Sequence, residues 1–232
     1  MAGSKHIGVV GCSAEGAALC YRTICQEGAA ILGRAHAHPE ISMHTPSLSD
    51  YVSCLDKGDM EGVARLMLTS AEKLARVGAS FLICPDNTIH QAMPLVLPES
   101  PLPWLHIAQV VAKTARDRGY SNLAVTGTRW LMESDLYSDA LTGEGLRCLR
   151  PTASDREAIH RIIMDELVPG SPGPEAVSLF QEIIGRLKTS GADAVILGCT
   201  EIPLIIDDAN SPLPTLDSTR LLARAALQRA TS

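Results

Sequence analysis

The sequence predicts an α/β protein built as two similar lobes, each a parallel sheet flanked by helices. Three observations predict it. Short apolar runs alternate with helical patterns along the whole chain. The runs are apolar at successive positions, as strands covered on both faces must be. And the second half of the chain repeats the order and spacing of the first.

The elements follow in order. Ile7-Gly-Val-Val10 reads as a buried strand running into the tight turn Gly11-Cys-Ser-Ala-Glu-Gly16, with a helix continuing through Tyr21 and Arg22. Glu40–His44 reads as a second strand. Asp59–Arg76 is an amphipathic helix with Val63, Leu66, Met67, Leu74 and Val77 at helical spacing. Gly78 closes it as a C-terminal glycine. Ser80–Cys84 is a buried strand, and Pro98–Pro103 a proline-rich hinge. Leu123–Thr126 is a strand closed by Gly127. Ala153–Leu167 is helical, Pro169–Pro174 an irregular loop, Glu175–Thr189 a helix capped by Gly191, and Ala194–Leu197 a strand.

Gly78-Ala-Ser-Phe-Leu-Ile-Cys-Pro-Asp86 aligns with Gly191-Ala-Asp-Ala-Val-Ile-Leu-Gly-Cys199, 113 residues on. Ile7–Gly11 aligns with Leu123–Gly127 at 116, and Leu102–Leu105 with Leu213–Leu216 at 111. Three segments in one order at nearly one offset point to a duplicated unit. Lobes are expected at 1–102 with a returning helix at 216–232, and at 103–215. In this register Asp86 and Cys199 are equivalent. Ligands of open parallel sheets bind beyond the carboxyl ends of the strands, so a pseudo-twofold pairing of lobes places these two residues across one cleft. Asn87-Thr88 and Thr200-Glu201 follow them, at expected helix N-termini suited to a small carboxylate.

Composition narrows the function. With 20 basic and 26 acidic residues the net charge is −6, and only 8 of 232 residues are aromatic. Neither a nucleic-acid footprint nor an anionic-membrane footprint fits. The seven cysteines include no CxxC pair, no apolar run approaches the ~20 residues of a membrane span, and the N-terminus lacks a signal-peptide pattern. A reducing cytoplasm is expected. Gly8, Gly11 and Gly16 lack dinucleotide-fingerprint spacing. His36, His38 and His44 have no further ligand at persuasive spacing, so no metal is expected.

Gly198-Cys-Thr-Glu201 with Ile202, Gly127-Thr-Arg129 with Met132-Glu133 and Tyr137, and Pro214 with Asp217 resemble the cofactor-independent aspartate/glutamate racemase family over essentially the whole chain. The family's first motif, Cys-Asn-Thr-x-His, stands here as Asp86-Asn-Thr-Ile-His90. The resemblance implies an amino-acid racemase or epimerase without pyridoxal phosphate or other cofactor. Two acid/base groups act on opposite faces of the substrate α-carbon: Cys199, and Asp86 in place of the missing cysteine, with Cys84 the alternative. Cys12, Ser13, Asn87, Thr88, Thr128, Thr200 and Glu201 are the implied substrate contacts, and His90 a supporting residue. Cys12 also reads as only a small turn residue; Tyr21 and Arg22 could reach a carboxylate from the first helix but read more simply as a surface ion pair. The lysine that acidic-substrate members carry matches Ala158, which points towards a neutral side chain or a different acid clamp. A homodimer acting on a small amino or carboxylic acid is implied. The alternatives are a one-sided relative, such as a decarboxylase or cis-trans isomerase of small acids, and a binding protein that has lost the chemistry.

Overall fold

Both halves of the chain fold into four-stranded, all-parallel sheets of one strand order. A computed structural model describes residues 4–232. The first sheet runs β2-β1-β3-β4, from β1 (Ile7–Val10), β2 (Ile41–His44), β3 (Phe81–Ile83) and β4 (Trp104–Leu105). The second runs β6-β5-β7-β8, from β5 (Asn122–Thr126), β6 (Arg147–Leu149), β7 (Ala194–Leu197) and β8 (Thr215–Asp217). The registers agree too. Ile7 pairs Phe81 as Leu123 pairs Ala194, and Leu82 pairs Trp104 as Val195 pairs Thr215. These pairs are related by the offsets of 116, 113 and 111 found in the sequence.

By packing, the chain divides into two compact units: residues up to Ile107 with Thr219–Ser232, and Ala108–Ser218. In the first unit α1 (Ala14–Leu32) starts at Ser13, whose Oγ accepts from Gly16 N–H at 3.2 Å. Such a cap meets one of the orphan donors of a first helical turn. After β2 come α2 (Leu48–Asp56) and α3 (Met60–Arg76). Helix α3 begins at Asp59, which takes Gly62 N–H at 2.7 Å, and buries Val63, Met67 and Leu74. Val77 departs from the expected apolar stripe. The helix ends at Arg76, Gly78 turns left-handed at φ +92°, and Val77 is left 59% exposed. After β3, a 3₁₀ turn (Thr88–Ala92) and α4 (Met93–Val96) precede the exposed proline segment that leads into β4. That segment, expected as a hinge, is the short approach to an edge strand.

In the second unit α5 (Ile107–Asp117) leads to β5, and α6 (Arg129–Met132) and α7 (Leu136–Gly143) connect β5 to β6. Thr152 caps α8 (Ala153–Ile162). The helix expected to run unbroken to Leu167 widens instead into a π turn over Ile163–Leu167, with both end residues buried. Glu166 accepts Gly173 N–H at 2.7 Å and so closes the loop after it. Helix α9 (Ala176–Thr189) then packs Phe180, Ile183, Ile184 and Leu187 against Val195 and Leu197 of β7.

The closing helix α10 (Ser218–Thr231) packs on the first unit. Arg224 grips the Glu27 carboxylate in a two-pronged ion pair at 2.9 Å, and the Arg229 guanidinium lies 5.0 Å from the centre of the Phe81 ring. Among the described residues, no helix is long and apolar enough to cross a membrane.

Candidate active site

The chemistry-bearing residues gather at the carboxyl ends of the strands in each unit. In the first unit β1 delivers Gly11, Cys12 and Ser13. Gly11 N–H bonds to His44 O at 3.0 Å, and a Cβ at Gly11 would run into the Thr45 hydroxyl, so the strand end needs a glycine. Cys12 and Ser13 are buried, at 3% and 7% exposure, and the Ser13 hydroxyl is engaged as the α1 cap.

Strand β3 delivers Asp86, half-buried, followed by Asn87 and Thr88, both buried. Asp86 is held from three directions. Its Oδ1 accepts Ile89 N–H at 3.2 Å. Its backbone oxygen accepts His90 Nδ1–H at 2.6 Å and faces the Cys84 thiol at 4.0 Å. His90 Nε2 takes Ile107 N–H at 3.4 Å, so the ring's proton resides on Nδ1. Full burial, with His106 adding to it, lowers the His90 pKa to about 3 and keeps the ring neutral. His90 thus bonds the Asp86 backbone rather than its carboxylate. Cys84 is fully buried; burial, then the Asp86 charge, push its thiol well up. A thiol so placed suits packing.

In the second unit β5 delivers Gly127 and Thr128, and β7 delivers Gly198 and Cys199. The two glycines let these chain segments touch. A Cβ on Gly198 would lie 2.6 Å from Thr126 O, and one on Gly127 would lie 3.0 Å from Gly198 O. Thr128 caps α6 through Leu131 N–H at 3.3 Å. Cys199 is half-buried, and its Sγ–H donates to Glu201 Oε2 at 3.0 Å; the Thr200 hydroxyl donates to the same oxygen at 2.6 Å. Glu201 is only 3% exposed. Its carboxylate therefore sits against the thiol as well as the threonine. His160 Nδ1 accepts Arg129 N–H at 3.2 Å, and its ring meets Trp130 edge-on at 4.9 Å.

The helix expected after Asp86 opens as a 3₁₀ segment, Thr88–Ala92, that runs on into the short α4, whereas the one expected after Cys199 is a single 3₁₀ turn, Ile202–Leu204, with Pro203 inside it. Ala158 packs against the apolar core of its unit, and nearby Arg156 is drawn to Glu133 at 3.5 Å. His44 joins a chain in which Lys73 Nζ donates to Nε2 at 2.9 Å and Nδ1 meets Ser70 Oγ at 2.9 Å. Tyr21 is exposed. Among the described residues, no three His, Cys, Asp or Glu side chains gather as metal ligands.

Two polar residues at the first unit's strand ends escaped the sequence. Tyr51, on α2, is completely buried; burial, then Cys84, Cys12 and Asp86, push its pKa up, and Ser70 beside its hydroxyl opposes them. His106, directly after β4, has a buried Nδ1 without a partner. Tyr51 carries no sequence signal. His106 does carry one, since it aligns with Asp217 at the offset of 111.

Known proteins share this fold. A crystal structure of a candidate Asp/Glu racemase from Yersinia pestis is similar with a TM-score of 0.89 and 30% identity, covering 98% of this chain and 100% of the other. An aspartate racemase homologue from Pyrococcus horikoshii OT3 matches with a TM-score of 0.82, 26% identity and the same coverage. The broad specificity amino-acid racemase of Bacillus subtilis (strain 168) is 24% identical over 169 residues, 73% of each chain. The Asp/Glu/hydantoin racemase family model matches residues 7–226. With nearly the whole chain inside that match, and the repeated sheets and strand-end residues in place, the chain belongs to the Asp/Glu/hydantoin racemase family and is an enzyme of the isomerase class.

Proposed function

We propose that the protein is a cofactor-independent amino-acid racemase in which Cys199 handles the α-proton on one face of the substrate and Asp86 on the other. The observation that carries this reading is the Cys199 thiol aimed at the buried Glu201 carboxylate at 3.0 Å, with Asp86 at the equivalent strand end of the other repeat. Glu201 holds and orients the thiol in this reading. Cys199 as thiolate then takes the proton from Cα, forming an S–H bond as the C–H bond breaks. Protonated Asp86 delivers its proton to the opposite face of the carbanion. The reverse direction exchanges the roles. Each step is general acid/base catalysis, worth about 10²–10⁴-fold per group.

Cys12, Ser13, Asn87 and Thr88 stand at the strand ends of the unit that carries Asp86, and Thr128 and Thr200 at those of the unit that carries Cys199. Ser13 and Thr128 accept backbone N–H groups as caps, and a hydroxyl that accepts keeps a proton to donate. These residues bind the substrate carboxylate in this reading and stabilise charge as the α-proton leaves. Ala158 in the place of a cation favours substrates with uncharged side chains.

The test is deuterium incorporation at Cα from heavy water, over a panel of single-enantiomer amino acids. Exchange accompanied by inversion supports the proposal. No exchange with any amino acid at high enzyme concentration, or release of carbon dioxide from substituted malonates in its place, contradicts it.

A further inference from the structure

We propose that the free enzyme rests in one protonation state, with Asp86 ionised and Cys199 held protonated by its bond to Glu201, so that the two enantiomers of its substrate differ widely in KM. This deepens the racemase reading and rests on it: that reading supplies the two faces, and the chemistry of the two strand ends sets which face gives a proton and which takes one.

The second unit holds the proton. The Cys199 thiol donates to Glu201 Oε2 at 3.0 Å, and the Thr200 hydroxyl donates to the same oxygen at 2.6 Å. An oxygen that takes two donors offers the sulfur no proton. A thiolate at Cys199 would set lone pairs against lone pairs, whereas the thiol is satisfied. A hydrogen bond made by the neutral form disfavours the charged one. Glu201 is only 3% exposed, so water does not readily replace the thiol as its donor.

The first unit holds a charge. Asp86 is half-buried, and its Oδ1 accepts Ile89 N–H at 3.2 Å, a bond that favours the carboxylate. Its ionisable neighbours bring no charge of their own. Burial keeps the Tyr51 hydroxyl and the Cys84 thiol protonated, and the His90 ring and the His106 ring behind it neutral. The repeat partners therefore differ where two cysteines would be alike. From ordinary acidities of about 3.9 and about 8.5, the form with the proton moved from thiol to carboxyl is about 10⁴-fold rarer.

The consequence is directional. The resting form takes the α-proton onto Asp86 as the C–H bond breaks, and Cys199 gives its proton to the opposite face of the carbanion. That leaves Asp86 protonated and Cys199 a thiolate; Asp86 then loses its proton to water and Cys199 regains one. The opposite enantiomer reacts only with the rarer form, which weakens its apparent affinity by that form's share of the enzyme. Enantiomers have equal free energy, so kcat/KM is the same in both directions, and the enantiomer with the larger KM also has the larger kcat.

Two measurements test this. One gives kcat and KM for each enantiomer of the amino acid that exchanges fastest at Cα, in wild-type and Asp86→Cys proteins. Wild-type KM values are expected to differ by about tenfold or more, with kcat in the same ratio. Asp86→Cys, with a thiol at each strand end, should bring them within about threefold. The other follows alkylation of Cys199 by iodoacetamide against pH, read on its own peptide. The wild-type midpoint is expected above pH 8, and Glu201→Gln, whose amide can donate to sulfur, should lower it by about one unit. A thiol merely uncovered would react faster at an unchanged midpoint, and that result overturns the role given to Glu201. Wild-type KM values within threefold, a difference that survives in Asp86→Cys, or a wild-type midpoint below pH 8 overturns the proposal while leaving exchange at Cα, and so the racemase reading, intact. No exchange with any amino acid, with the Cys199 midpoint as expected, overturns the racemase reading alone.

Discussion

His90 shows how burial at one residue becomes a property of the whole protein. Its pKa is about 3 in the folded state and near 6.5 when unfolded. Between these values the unfolded chain binds a proton that the folded chain refuses, so stability is full above pH 6.5 and falls as the pH drops. The slope expected from this residue is about 1.4 kcal/mol per pH unit. Urea denaturation from pH 7 to pH 4 measures it, and His90→Asn should be less stable at pH 7 yet flatter in its pH dependence. At this scale Cys199 is legible in the sequence because a short motif carries it. The clamp on Asp86 is legible only as a histidine four residues on, since backbone carbonyl partners leave no mark in sequence. The burial of Tyr51 and of His106 Nδ1 is not legible, because it is a fact of packing.

Among the elements, the strand ends are fixed by close backbone approach. Gly198 N–H bonds to Thr126 O at 2.8 Å, and a methyl group at Gly198 would press on that same oxygen. Gly198→Ala should therefore cost about 1–3 kcal/mol, the usual penalty of overpacking. It should also cost activity beyond the loss of stability, because Cys199 is the next residue. Denaturation and exchange assays on the same preparation check both. Gly185→Ala, at a half-buried position of α9 with open space at its Cβ, is the matching control and should be neutral or slightly stabilising. Long periodic helices and fully apolar strands are readable in the sequence. Strands β4 and β8, of two and three residues, carry too few positions for any period to show. The π turn at Ile163–Leu167 keeps helix-like apolar spacing and so reads as ordinary helix.

For the whole molecule, duplication explains why two acid/base candidates exist at all. One strand order and one register, repeated, bring an ionisable residue to the same strand end in each unit: a carboxylate after β3 and a thiol after β7. The near-constant offsets make this equivalence readable from the residues alone, since insertions between the repeats are short. The chemical asymmetry is the distinctive feature. A carboxylate has lower intrinsic basicity than a thiolate, and Asp86 also caps the following turn through Ile89. Asp86→Asn is the informative variant, because asparagine preserves such a cap and removes only the acid/base function. The most direct measurement follows solvent deuterium into Cα, starting from each enantiomer in turn, in wild-type, Cys199→Ala and Asp86→Asn proteins of equal stability. A proton relay between these two residues predicts inversion with deuterium incorporation in the wild type and a fall of at least ~10²-fold in racemisation in each variant. Full racemisation in either variant would contradict it.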